Sequence, residues 1–221
     1  MKPPPLPPKQ GKAPRQPEGG APIWRVGAKL AEGPLSEIYE VLEHRQAPVT
    51  RPLVQKRIKP EFLHSALVRE RLAAVRDRLK GIQHVGLCEI VDVHISDTEL
   101  WLIEERVDGQ TLSALQQERG RLPLAEAQVI WQQLGAVLHF LHGSGIHHGD
   151  LKPGHILICR GVDPVRVRVI DVLLGHVLGD GLTGTPSYLA PELLRTSSPK
   201  PSVHADLFAL ATIIYEMLFR Q

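Results

Sequence analysis

The stretch His148-Gly149-Asp150-Leu151-Lys152-Pro153 places an ammonium two positions after a carboxylate. Further along, Ile170-Asp171 sets a second carboxylate behind a run of apolar residues. Far upstream, Lys56 closes the strand-like Leu53-Val54-Gln55-Lys56. Two acids and two lysines facing each other across a cleft suit phosphoryl transfer. One carboxylate orients a hydroxyl, one holds a metal on the phosphates, and the cations offset developing charge. A fourth stretch, Gly184-Thr185-Pro186-Ser187-Tyr188-Leu189-Ala190-Pro191-Glu192, follows the second acid.

These residues need elements to hold them. Tyr39-Glu40-Val41 and Leu53–Lys56 read as strands, and 89–95 and 100–104 as two more. Between them, Val68, Leu72, Val75, Leu79 and Ile82 recur at steps of 4, 3, 4 and 3, which predicts a helix over 65–82 with one apolar face. Val107-Asp108-Gly109 breaks the pattern as a hinge would. A short helix is expected over 111–118. A long one over 124–141 carries Ile130, Leu134, Val137, Leu138 and Leu141 on one face, with Gly143 and Gly145 ending it. Short strands over 155–159 and 165–170 frame the acidic loops, and a last helix is expected after Asp206.

The 221 residues are 43% hydrophobic, 23% charged and 5% aromatic, a composition that builds one large domain or two small lobes. Residues 1–22 hold eight of the nineteen prolines and, with Lys2, Lys9, Lys12 and Arg15 against Glu18, carry +3 of the net +2, leaving −1 elsewhere. They read as an extended, disordered tail, whose Pro4-Pro5-Leu6-Pro7-Pro8-Lys9 has the spacing of peptides that dock on aromatic grooves. A body of charge −1 argues against nucleic acid as a partner. Cys88 and Cys159 stand far apart, which excludes a disulfide framework and suits a reducing cytosol. No apolar run is long enough to cross a bilayer and none marks a signal peptide, so the chain is expected to be cytoplasmic.

With these motifs in this order, the chain from about Val26 onward resembles the protein kinase family, in its bacterial serine/threonine branch. The resemblance implies an α+β, two-lobed fold: a disordered tail over 1–22, then a kinase-like domain over 23–221. That domain divides into a strand-rich lobe over 23–107 with one main helix, a hinge over 105–110 and a partial helical lobe over 111–221. It implies ATP and Mg²⁺ as cofactors, with a protein substrate or partner. Asp150 matches the catalytic aspartate of H-R-D, Lys152 the lysine that touches the transferred phosphate, Asp171 the metal-binding aspartate of D-F-G, and Lys56 the lysine of V-A-I-K. The nucleotide would further meet Gly33, Ile38 and Val54, with Leu157 under the adenine and the backbone of Glu105 and Val107 beside it. Thr185 lies in the segment ending in A-P-E, and Asp206 resembles the aspartate that holds the catalytic loop.

Departures from the family pattern are as informative. The phosphate-covering loop keeps Gly33 of three glycines, and Pro34 removes a donor from it. Gly149 replaces the arginine of H-R-D, and Val172-Leu173 the F-G of D-F-G. Val75 stands where the family has the glutamate that pairs with the strand lysine. His155 stands where the family has a metal-binding asparagine. An imidazole is a poor ligand for Mg²⁺, so His155 reads as a hydrogen-bonded structural residue, with a transition-metal site shared with His147 and His148 as the lesser alternative; the resemblance implies that His148 packs into the core, and the other, scattered histidines read as superficial. The chain ends at Gln221 inside the last helix, which implies a truncated product or a fragment. Leu207, Phe208, Leu210, Ile213, Ile214, Met217 and Leu218 would then lack part of their cover, leaving a patch for a partner or a missing region.

Three functions compete. A pseudokinase that holds ATP but transfers phosphate weakly or not at all, with a regulatory or scaffolding role in signalling, is favoured by the losses. An active protein serine/threonine kinase is favoured by Lys56, Asp150, Lys152 and Asp171. A small-molecule phosphotransferase of the aminoglycoside or choline kinase type is suggested by His148-Gly149-Asp150-Leu151 with Pro153-Gly154. With Val75 unable to pair, alternation along 100–104 puts Glu104 on one face with Leu102 and Leu100, and an ion pair with Lys56 within about 4 Å is expected.

Overall fold

The computed structural model describes residues 23–46, 48–63, 81–96, 98–161, 164–172, 186–195 and 200–219. The proline-rich tail, nearly all of the helix expected over 65–82 with Val75, Leu173, Gly184 and Thr185 lie outside them.

Five antiparallel strands form the first sheet: β1 (Trp24–Glu32), β2 (Ser36–His44), β3 (Leu53–Ile58), β4 (Ile90–Ile95) and β5 (Leu100–Glu105), in the spatial order β1-β2-β3-β5-β4. Period-two alternation gives the sheet two unlike faces. Trp24, Val41, Leu53 and Ile103 close a small outer core, joined by Val26, Val49, Val91 and Trp101. Ile58, Leu100 and Leu102 point the other way, into the main core. Lys56 lies opposite both Ile38 of β2 and Leu102 of β5, and Val54 opposite Glu104, so Lys56, Val54, Ile38 and Glu104 share that inner face.

Past the hinge, β6 (Gly109–Thr111), β7 (Ile156–Cys159) and β8 (Val167–Val169) make a second, three-stranded antiparallel sheet. Strand pairing reaches Glu105 and resumes at Gly109, so the connection is shorter than the 105–110 expected. Gly109 is required there: a Cβ would lie 2.5 Å from the carbonyl oxygen of Ile158 on the neighbouring strand. The first helix, α1 (Leu112–Arg119), starts on Thr111, whose Oγ1 accepts from the Ala114 amide at 3.1 Å, and stops at Gly120 with φ +70°.

The long helix α2 (Leu124–Gly143) buries Ala127, Ile130, Leu134, Val137, Leu138 and Leu141, the stripe its sequence predicts. It is tied to β8 by Gln133, whose Nε2 donates to Val165 O at 2.7 Å while its Oε1 accepts from Val167 N at 3.1 Å. Following the short α3 (Pro191–Leu194), the last helix α4 (Val203–Phe219) packs on α2. It begins three residues before Asp206 rather than after it, because Ser202 caps it: Ser202 Oγ accepts from the Ala205 amide at 3.1 Å. Leu210, Ile213 and Met217, expected to lack cover, are buried against the core. Leu207 and Phe208 are exposed, together with Tyr215 and Phe219 on the same helix. No described helix is long and apolar enough to cross a membrane.

Candidate functional site

The loop between α2 and β7 carries Asp150, Lys152 and His155, and the chain leaving β8 carries Asp171. Asp206, buried in the first turn of α4, holds that loop from below. Its carboxylate accepts from the amides of His148 at 2.9 Å and Gly149 at 3.0 Å, and from Nε2 of His142 at 2.8 Å. The third bond was not legible in sequence. His142 reads as a surface residue, yet its side chain is only 14% exposed. The sign available was its place in the last turn of a helix, where a partly positive side chain is favoured. We expect Asp206→Asn, which turns one acceptor into a donor facing these N–H groups, to cost about 2 kcal/mol in chemical denaturation. An unchanged midpoint would remove Asp206 as the loop's anchor.

His148, wholly buried, donates from Nε2 to Ile170 O at 3.1 Å and accepts at Nδ1 from the Asp150 amide at 3.3 Å. That uses both ring nitrogens in a neutral tautomer, and burial accordingly lowers its pKa. The loop thereby sets Asp150 against Lys152, whose ammonium lies 2.8 Å from Oδ2. Burial raises the Asp150 pKa, and Lys152 opposes the shift.

Lys56 reaches across from β3 and pairs with Asp171 Oδ1. Both side chains are nearly closed off from solvent, at 9% and 13% exposure. Burial works against both charges. The two groups nonetheless hold each other ionised: Asp171, with Glu104 behind it, keeps the Lys56 ammonium above its ordinary range, and Lys56 leads in drawing the Asp171 carboxyl down to about 2. Asp171 has φ +63°, the only positive φ of a non-glycine residue among the described residues. Aspartate enters that region more readily than most side chains, and such conformations gather where geometry serves a site.

This pairing corrects the expected Lys56–Glu104 ion pair. Alternation does place Glu104 on the face of Lys56, but one register step away, opposite Val54, and no ion pair forms between them. Glu104 is buried, and burial pushes its carboxyl up to about 7 against the pull of Lys56.

His155 donates from Nδ1 to Asp150 O at 2.9 Å, as a carbonyl can only accept. Its Nε2 faces Asp171 Oδ2 at 3.3 Å. Burial pushes its pKa down, to about 3, while the Asp171 carboxylate pulls the other way. The expected structural histidine is present, with one edge turned into the cleft.

Lys56, Asp171, His155, Asp150 and Lys152 are thus linked by a chain of contacts, with Ile38 and Val54 beside Lys56 on the sheet. Gly33 lies in the β1–β2 turn, and its amide donates to Ser36 O at 2.8 Å. Leu157 is on β7, paired with Thr111 and Arg168. The Glu105 amide donates to Glu89 O at 2.9 Å and its carboxylate lies 3.2 Å from Arg168, while Val107 occupies the short connection.

Magnesium requires hard oxygen ligands in a nearly octahedral shell. The donors present do not fit it. One oxygen of Asp171 is held by Lys56, and the other faces an imidazole nitrogen. Asp150 is held by Lys152, and among the described residues no three His, Cys, Asp or Glu side chains converge on a common point.

A strand lysine and two loop aspartates meeting between a five-stranded sheet and a helical body define a two-lobed kinase-like fold. Residues 24–221 match the protein kinase domain, and the chain belongs to that family, which in general uses ATP with Mg²⁺. It is 32% identical to serine/threonine-protein kinase ULK3 of Xenopus laevis over 197 residues, covering 86% of this chain and 41% of that protein. It is 32% identical to calcium/calmodulin-dependent protein kinase type 1B of Rattus norvegicus over 212 residues, covering 92% and 59%. The chain therefore spans about half the length of these curated relatives. Among solved structures, the kinase domain of Mycobacterium tuberculosis PknI shares the fold at a TM-score of 0.73 and 24% identity, over 88% of this chain and 74% of that one. Rad53 1–466 in complex with AMP-PNP does so at a TM-score of 0.68 and 21% identity, over 89% and 48%.

Proposed function

We propose that this serine/threonine-kinase-like domain binds a nucleotide and transfers its phosphate weakly or not at all, serving as a regulatory or scaffolding module in cytoplasmic signalling. The observation that carries this reading is Asp171, whose two oxygens both face nitrogens of the chain itself, Lys56 and His155. The carboxylate expected to hold Mg²⁺ is thereby committed inside the protein. Gly33 supports the same reading, as its amide is used within the hairpin turn and is not free for a phosphate. The free thiols Cys88 and Cys159 are in keeping with a reducing compartment.

In this reading Ile38, Val54 and Leu157 enclose the base, the backbone at Glu105 and Val107 lies along its edge, and the Lys56 and Lys152 ammonium groups face the phosphates. Asp150 retains the position to orient an acceptor hydroxyl, and the kinase names of the relatives favour a second reading, an active protein kinase. Thermal unfolding with and without ATP separates binding from no binding. At 100 times its dissociation constant ATP adds about 2.7 kcal/mol, or roughly 5–10 °C for a chain of this size. No shift at millimolar ATP would overturn the nucleotide reading. Label incorporation into a protein substrate at about 1–100 s⁻¹ would overturn weak transfer in favour of the active kinase.

A further inference from the structure

We propose that the outer face of the five-stranded sheet carries a docking groove for the chain's own proline-rich segment, Pro4-Pro5-Leu6-Pro7-Pro8-Lys9, beside Trp24. The inference stands apart from the nucleotide reading and concerns the opposite side of the sheet.

The cavity holds about 420 Å³, with Trp24, His44, Pro48, Val49, Val91 and Asp92 among its lining residues. That is within the size range of ligand pockets. Trp24, Val49 and Val91 belong to the small outer core, whose described members all come from the sheet or from the loop between β2 and β3. No described helix contributes to that core. This face of the sheet is therefore one layer thick, where a sheet face is normally buried against a second layer. Lys56 and Glu104 lie on the other face, so an occupant here does not enter the cleft.

Proline-rich segments have no internal hydrogen bonds. They bind by laying proline rings on aromatic faces and offering their carbonyls to nearby donors. The groove has these parts. The rings of Trp24 and His44 lie 4.3 Å apart, tilted by 57°. Nδ1 of His44 accepts from the Gln46 amide at 3.3 Å, which puts the proton of a neutral ring on Nε2, a donor for a carbonyl. Asp92 is the acid among the described lining residues, and its Oδ2 accepts from Trp24 Nε1 at 2.9 Å. The basic residue of the groove, Arg51, is paired with Glu89 at 2.6 Å. A carboxylate beside the indole suits the lysine that follows the second proline of Pro4-x-x-Pro7-x-Lys9. The tail itself is the occupant, because the groove lies where the tail joins the fold. Residues 10–23, fourteen in all, connect Lys9 to Trp24. A coil of that length spans roughly 20 Å on average. Such a tether holds the segment at an effective concentration on the order of millimolar, enough to fill a site that binds a free peptide weakly. Charge agrees as well, with +3 on residues 1–22 and −1 on the rest.

The test uses the full chain, with Pro4→Ala/Pro7→Ala to empty the groove and a fluorescent synthetic peptide of residues 1–12 to refill it. The double substitution is expected to move the indole N–H resonance of Trp24 and to leave that of Trp131, exposed on α2, in place. By anisotropy, the peptide should bind the doubly substituted chain at least about ten-fold more tightly than the native one, whose own tail competes for the site. Adding Val49→Asp to the doubly substituted chain should abolish peptide binding, with the unmoved Trp131 resonance showing that the fold is kept. An unmoved Trp24 resonance, equal peptide affinity for the native and doubly substituted chains, or binding that survives Val49→Asp overturns the proposal. A native dimer in sedimentation that the two proline substitutions dissociate places the segment on a second copy, and overturns docking within one chain.

Discussion

Lys56→Met is expected to lower the unfolding free energy by about 3–5 kcal/mol and the melting temperature by roughly 10 °C or more. The ammonium is the principal partner of the Asp171 carboxylate in a site nearly closed to water, and its removal leaves a buried charge without its main counter-ion. Asp171→Asn in the same chain should recover much of the loss, because asparagine tolerates the left-handed backbone at this position and carries no charge. The coupling also has a pH signature. Asp171 titrates near 2 when folded and near 3.9 when unfolded, so its share of stability is present above the unfolded value and disappears as pH falls through the folded one. Chemical denaturation of the single and double variants at pH 7 and pH 3 tests both statements. A loss under about 1 kcal/mol for Lys56→Met would show that the pair is not structural.

Glu104→Gln is expected to do the opposite, stabilising the chain by about 3 kcal/mol at pH 8 and hardly at all at pH 4.5. Burial raises the folded carboxyl to about 7, so the folded state keeps a proton that the unfolded state releases near 4.5. Stability contributed by this proton is complete below the unfolded value and is lost as pH rises through 7. The groups acting on Glu104 are Lys56 from β3, which favours its charge, and Asp171, which opposes it; the half-buried Cys88 thiol is raised first by its burial and then by this carboxylate. Glutamine keeps the shape and removes the titration. Urea unfolding at several pH values should give a slope between about pH 4.5 and 7 for the native chain and a flatter line for the variant. Parallel lines would show that Glu104 reaches water.

The contrast between these two acids shows how far the sequence could be read. Strand alternation correctly put Glu104 on the face of Lys56, and motif spacing put Asp171 in the opposite loop. Which carboxylate captures the ammonium depends on the distance between two parts of the chain 115 positions apart, and no periodicity encodes that. For the same reason the stripe on α2 was legible from its 3.6-residue repeat, while His142 looked superficial. Its partner Asp206 stands 64 residues away. On α4 nearly every position is apolar, so composition alone did not separate the buried Leu210, Ile213 and Met217 from the exposed Leu207 and Phe208. Ser202 was a missed local signal, a capping serine just ahead of the helix it starts.

The close approach at Gly109 also determines where the molecule can bend. On the sheet side, the Arg106 amide is tied to Pro52 O at 3.0 Å. On the helical side, Asp108 O is tied to the Arg160 amide at 2.9 Å, and Gly109 lies against Ile158 with no room for a side chain. Val107 is the single residue between these two clamps. The chain thus passes from the sheet to the helical body through one short, tied peptide segment, with Gly86 and Cys88 bonded to Val169 as a second tie between the two parts. A substitution that stiffens Val107 would act on the angle between the lobes without touching any charged group in the cleft.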